Sequence, residues 1–284
     1  MNTERIDYLK SAGERLPDNS YIPEGLIDFY TKIFEFQKKV YDSTIEDTPV
    51  METNTPEEGY PLLKSDSFKQ DAAIEKVLEK SLRDLSGIIT AYNPDMNFDH
   101  MRETLTSSDH TIVSFFKHLV SHDFETLEKI SGELKIMYEG FIFLLINSAK
   151  PVLSAVRTSS GIECPGEDWL EPHCPFCGYL PDFASIREKD DNRIFLHCGL
   201  CEMQWRFRRL TCHHCENNEY EELISYQSEI DELHTIYCCK KCRAYIKIFK
   251  IPKMREIKPD ELFAENIISN YLDATAIDMG YARP

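Results

Sequence analysis

Apolar residues recur at intervals of three and four through the first half of the chain and at intervals of two through much of the second. Leu26, Phe29, Tyr30, Ile33, Phe36 and Val40 predict a helix from Pro23 to about Ser43, with Pro23 in the first turn, where its missing N–H costs nothing. Ile74, Val77, Leu78, Leu82, Leu85 and Ile88 predict a second helix from about Ser67 to Ala91, stopped by Asn93-Pro94. Shorter helices are expected over Phe98–Thr106, from a cap at Ser108 or Asp109 through Val120, and over Phe124–Ile130. Leu134–Val156 is apolar around most of its circumference, which marks a helix buried on nearly all sides, and Pro151 is expected to kink or end it. Residues 44–66, with Pro49, Pro56 and Pro61, form a loop that either crosses the helices or moves.

After Cys177 the period changes. Strands are expected over Asp182–Arg187, Arg193–His197, Gln204–Leu210, Leu223–Gln227, His234–Tyr237 and Ala244–Lys250. A closing helix begins near Pro259, with Asp260 and Glu261 at the positive end of its dipole. The fold class is therefore multidomain α+β: an N-terminal all-α domain (1–163), a first small β module (164–210), and a second one carrying the C-terminal helix (211–284).

The formal net charge of −17 disfavours bulk nucleic-acid or anionic-membrane partners. Eight basic residues between Lys240 and Lys258 keep a nucleic-acid-binding ribbon as a lesser alternative. The N-terminus has no apolar core of signal-peptide length, and the longest wholly apolar run, Phe141–Ile146, is far short of a membrane span. A cytoplasmic protein with reduced thiols is the expectation.

Those thiols change the picture most. All ten cysteines fall at or after Cys164, and eight form Cys-x-x-Cys pairs: Cys174/Cys177, Cys198/Cys201, Cys212/Cys215 and Cys239/Cys242. A tight turn lets two such sulfurs address one ion, and two turns complete a tetrahedral site. Twenty residues separate pairs one and two, ten separate two and three, and twenty-three separate three and four. The simplest partition is two consecutive four-cysteine sites, although interleaving (one with three, two with four) also satisfies the count. Pro175 and Gly178 shape the first turn; Arg243 stands where the fourth would place a glycine, and Cys238 adjoins a ligand. The donors suit zinc and a single iron alike. Structural disulfides need an oxidising compartment, and dithiol catalysis needs one exposed, low-pKa pair rather than four matched ones. His173, His197, His213, His214 and His234 flank the pairs and read as neighbours of the ligands, with His213 or His214 the best substitute for a cysteine. His118 and His122 stand at helical spacing but lack the metalloprotease glutamate. No phosphate loop, dinucleotide fingerprint or nucleophile elbow is present, so an enzyme is not expected.

The ordered set CPFCG, LHCGLCExxW, CxxCE and CxxCxxYxKI, closed by GYAR, resembles the FdhE family of formate dehydrogenase accessory proteins. The resemblance covers residues 173–250 and the C-terminus. It implies a helical domain followed by two rubredoxin-like modules, with metal ligands Cys174, Cys177, Cys198, Cys201, Cys212, Cys215, Cys239 and Cys242. It favours iron, with zinc as the other candidate. It also implies a cytoplasmic maturation factor or chaperone that binds the catalytic subunit of formate dehydrogenase. A rubredoxin-like electron-transfer or dithiol redox protein is the alternative.

Overall fold

The computed structural model describes residues 1, 3–15, 22–46, 53–64, 72–96, 98, 99, 101, 112–162, 169–228, 232–255 and 257–284. Its helices are α1 (Thr3–Arg15), α2 (Leu26–Glu46), α3 (Ala72–Tyr92), α4 (Ile112–Val120), α5 (Phe124–Glu133) and α6 (Tyr138–Ser159). Six strands follow: β1 (Pro181–Arg187), β2 (Arg193–Cys198), β3 (Gln204–Phe207), β4 (Leu223–Gln227), β5 (His234–Cys239) and β6 (Tyr245–Ile251). Two helices, α7 (Pro259–Ile268) and α8 (Asn270–Asp278), end the chain. Most of the helix expected over Phe98–Thr106, and the cap at Ser108 or Asp109, lie outside the described residues, as does Cys164.

Three elements differ from the sequence reading. Pro23 precedes the helix instead of opening it; its carbonyl accepts from the Leu26 amide in the turn leading into α2. The single C-terminal helix is two, because the Ser269 hydroxyl donates back to the Glu265 carbonyl and the backbone turns there. Pro151 does not end α6. A proline leaves the carbonyl four residues earlier without its donor. Here that carbonyl belongs to Asn147, and Gln37 Nε2 of α2 donates to it at 3.3 Å and to Asn147 Oδ1 at 3.0 Å. A neighbouring helix thus supplies the bond that proline removes. α6 is apolar and long enough to cross a membrane by composition, but 72% of its apolar window is buried inside the protein, which makes it the core helix.

The strands form one mixed sheet in the order β3-β2-β1-β6-β5-β4. β1–β3 and β4–β6 are each antiparallel, and they join through parallel pairing of β1 with β6 from Ala184↔Ile248 to Arg187↔Ile251. The two modules are therefore fused through one edge strand of each, a pairing no local pattern encodes. One sheet face packs Phe183, Phe249 and Ile251 against Leu262 and Phe263 of α7. Residues of the other, including Leu196, Trp205, Ile246 and Ile248, belong to one core cluster with Phe29, Leu82, Phe141 and Val152 of the helices. Helix α1 docks through Ile6 and Leu9 on Phe34 of α2 and on Ala264 and Ile268 of α7.

The C-terminal residues lock this arrangement. Ala282 bridges Ala244, and Arg283 donates to Asp182 Oδ1 of β1 at 2.5 Å and to Asp273 Oδ1 of α8 at 2.7 Å. Burial opposes ionisation of Asp182, yet Arg283, Lys150 and Lys247 hold its carboxyl below the ordinary value. Burial likewise opposes ionisation of Asp273, which Lys247 and Arg283 hold low. Carboxyls lowered on folding contribute stability above their unfolded value of about 4 and lose it as pH falls through the folded values. Arg283→Met should cost about 1 kcal/mol at pH 7, a modest figure because the guanidinium stays 38% exposed and screened. In urea unfolding the deficit should shrink as pH falls below about 4 towards the lowered folded values, where the carboxyls take up protons. A deficit that is constant down to pH 3 would show that the cation acts through packing instead.

Candidate metal centres

All four Cys-x-x-Cys segments fold alike. In the first, third and fourth, the first cysteine's amide donates to the carbonyl five residues on: Cys174 to Tyr179, Cys212 to Asn217 and Cys239 to Ala244, at 2.8–2.9 Å. The second makes the same bond, from Cys198 to Met203 at 2.8 Å. The residue after the second cysteine is left-handed in each: Gly178 (φ 77°), Glu202 (φ 60°), Glu216 (φ 55°) and Arg243 (φ 63°). Glycine suits the first turn twice over, since a Cβ there would also lie 3.2 Å from Pro61.

The other three turns accept a non-glycine residue in this conformation, which costs on the order of 1 kcal/mol. Each uses the side chain it gains. Glu202 receives both terminal nitrogens of Arg5 in α1, at 2.8 and 3.0 Å. Glu216 pairs with Arg208. Arg243 donates to the Met279 and Gly280 carbonyls and lies 4.1 Å from the centre of the Tyr281 ring. The departure at Arg243 thus anchors the C-terminal residues to the fourth turn and leaves its geometry like that of the others.

The structure gathers Cys174, Cys177, Cys198 and Cys201 into one set and Cys212, Cys215, Cys239 and Cys242 into another, the sulfurs of each within 4.8 Å of one another. The partition is consecutive, not interleaved. The β1–β2 hairpin carries pair two back to pair one, and β4–β5 carries pair four back to pair three. Cys174–Cys201 and Cys177–Cys198 are 3.5 Å apart; Cys212–Cys242 and Cys215–Cys239 are 3.7 and 3.8 Å. Metal–sulfur bonds of about 2.3 Å put tetrahedral sulfurs about 3.8 Å apart, so both sets fit one zinc- or iron-sized ion.

Charge and hydrogen bonding fit as well. Burial pushes the Cys174 and Cys177 thiols up. Burial opposes ionisation of Cys198 too, but hydrogen bonds from Cys174, Cys177 and Cys201 hold its thiolate low. The Leu200 and Cys201 amides point at the same sulfur, at 3.3 and 3.4 Å. In the second set, burial is outweighed at Cys239 by the Cys242 and Lys241 amides and by thiol donors, bringing it to about 7. A metal would replace the shared protons of each set.

The surroundings of the two sets differ. Every cysteine of the first is fully buried, among Phe176, Leu200 and Trp205. Residues 53–64 cross onto this turn, where the Leu62 and Leu63 amides bond the Pro175 and Phe176 carbonyls at 2.9 and 2.7 Å. In the second set Cys215 and Cys242 are half-buried. Cys238 belongs to neither set. It packs with Tyr245, Leu272 and Tyr281, and burial pushes its thiol up to about 12.

Among the described residues, no histidine joins a sulfur set. His197 is buried beside Ser185 Oγ at 2.9 Å, and burial lowers it to about 3, so it stays neutral. His234 faces Glu265 at 3.2 Å, and His118 faces Asp123 at 2.9 Å. His100 and His110 lie outside the described residues. His122, His173, His213 and His214 line a cleft of about 830 Å³ between the first and third turns. Sequence reasoning missed the supporting residues Arg5, Asp182 and Asp273, because each acts on a part of the chain remote from it.

A family model described as "FdhE, central domain" matches residues 173–209, the first sulfur set and its strands. A protein FdhE homolog of Haemophilus influenzae (strain PittGG) is 26% identical over 270 residues, covering 88% of each chain. The chain is similar to FdhE proteins over most of its length. An FdhE homolog of Aquifex aeolicus (strain VF5) is 33% identical over 144 residues, and this chain spans about half of its length (49%). The crystal structure of the FdhE protein from Pseudomonas aeruginosa shares the fold at a TM-score of 0.63 and 20% identity, over 99% of this chain and 92% of that one. The similarity to FdhE proteins thus extends well beyond the sulfur sets into the helical half.

Proposed function

We propose that this protein is a cytoplasmic assembly factor of the FdhE family that binds the catalytic subunit of formate dehydrogenase during its maturation and performs no turnover chemistry itself. One observation carries the reading: two complete four-sulfur sets sit on a single fused sheet in a chain whose relatives are FdhE proteins. Each site residue has one role in it. Cys174, Cys177, Cys198 and Cys201 hold one ion, and Cys212, Cys215, Cys239 and Cys242 hold the other. The ions supply folding energy and, if they are iron, a one-electron couple that needs no open coordination position. Four thiolates leave no position for substrate, which disfavours hydrolytic or Lewis-acid chemistry. The division into a helical unit (1–163) and two metal modules (164–210 and 211–284) is part of the same reading.

Deletion of the gene should lower formate dehydrogenase activity without changing transcription of its subunits. The tagged protein should capture the catalytic subunit from the same cells. Undiminished formate oxidation in a deletion strain with no second copy would refute the assignment.

A further inference from the structure

We propose that the two centres are unequal in kind: the first is a permanent structural centre, and the second exchanges its metal with incoming soft ligands, thiolate or imidazole. This rests on the reading of both sulfur sets as metal centres.

The first centre cannot open by itself. Its four sulfurs are wholly buried, and Phe176, Leu200 and Trp205 belong to the same core cluster as the helices. Residues 62 and 63 close over its first turn by two backbone hydrogen bonds. Arg157 of α6 donates to the Cys201 carbonyl at 3.2 Å, and Arg5 of α1 holds Glu202, the next residue. Two helices and a crossing segment would have to leave before a ligand could reach a sulfur, so opening approaches global unfolding.

The second centre has no such cover. Cys215 and Cys242 are half-buried, and the turns that carry them present His214, Glu216, Lys240, Lys241 and Arg243 to solvent. Behind it, Cys212 and Cys239 border a cavity of about 570 Å³ on the sheet. With solvent on one side and unfilled space on the other, few packed atoms resist a local excursion of the third turn, while Arg243 ties the fourth to the Met279 and Gly280 carbonyls. Exchange there is ligand substitution. Each metal–sulfur bond lost is replaced by a bond from the incoming donor, the freed thiolates take up protons, and no electrons move.

The test uses the full chain loaded with zinc and the chromogenic chelator 4-(2-pyridylazo)resorcinol. Zinc should leave in two phases of one ion each, the first faster by about a hundredfold or more. N-ethylmaleimide added during the fast phase should label Cys212, Cys215, Cys239 and Cys242 while the helical circular dichroism signal stays. The slow phase should coincide with labelling at Cys174–Cys201 and loss of that signal. Release of both ions together, or labelling of the first set ahead of the second, would overturn the inference and leave the metal reading standing. A starting content well below two ions per chain would overturn the metal reading, and the inference with it.

Discussion

Replacing Cys174 by serine is expected to abolish the folded protein. Serine offers no thiolate at neutral pH, so the first set would hold its ion with three sulfurs. Binding of a structural zinc in small domains is worth about 10–16 kcal/mol, comparable to the whole stability of a typical protein at about 5–15 kcal/mol. The lost ligand also lies fully buried in the main core cluster. The expected outcome is insoluble protein, or a chain without a cooperative thermal transition. Cys215→Ser, in the half-buried second set, should instead give soluble protein with its helical signal intact and one ion fewer. A Cys174→Ser protein that melts within a few degrees of the parent would mean that the first set does not hold the fold together.

Arg5→Ala should be the most damaging change outside the cysteines. The Arg5 guanidinium is 3% exposed and serves two carboxylates: Glu202, itself 6% exposed, and Asp260 at 2.5 Å. It also lies 4.5 Å from the ring centre of Phe263 and 5.2 Å from that of Phe34. Removing one partner of such a pair leaves the other charge buried and uncompensated, at a cost of about 3–5 kcal/mol. For a chain of this size that lowers the melting temperature by roughly 10 °C. Arg5→Lys should recover little, because an ammonium cannot serve both Glu202 oxygens and Asp260 in the planar geometry of a guanidinium. Adding Glu202→Gln to Arg5→Ala should recover part of the loss by removing the stranded charge. A loss below 1 kcal/mol for Arg5→Ala in urea unfolding would show that α1 is not pinned through this pair.

The same residue illustrates what local patterns carry. The cysteine spacings fix which turns carry sulfur, and the three-and-four period of Leu26–Val40 or Ile74–Ile88 fixes helices, because both are properties of a few consecutive residues. The β4 boundaries, Leu223–Gln227, are those the alternation predicts, and the other strands differ by a few residues at their ends. The eight cysteines in two sets were legible too, with the consecutive partition as the simplest one. That choice belongs to the hairpins, which return pair two to pair one and pair four to pair three.

Tertiary structure decided the rest, for one physical reason: the deciding partners are far apart in the chain. Parallel pairing of β1 with β6 joins residues more than sixty positions apart and turns two modules into one sheet. Pro151 reads as a break until Gln37 of α2 takes the carbonyl it leaves unpaired. Arg243 reads as a fault in the fourth turn until the Met279 and Gly280 carbonyls are seen to receive its guanidinium. The inequality of the two centres is of the same kind. Both repeat the same Cys-x-x-Cys spacing, and the packing of the helices over the first sets it apart from the second. By itself the sequence determined an α+β chain with eight paired thiols and a strong acidic charge. Which of those thiols meet solvent was settled by contacts that no stretch of local sequence contains.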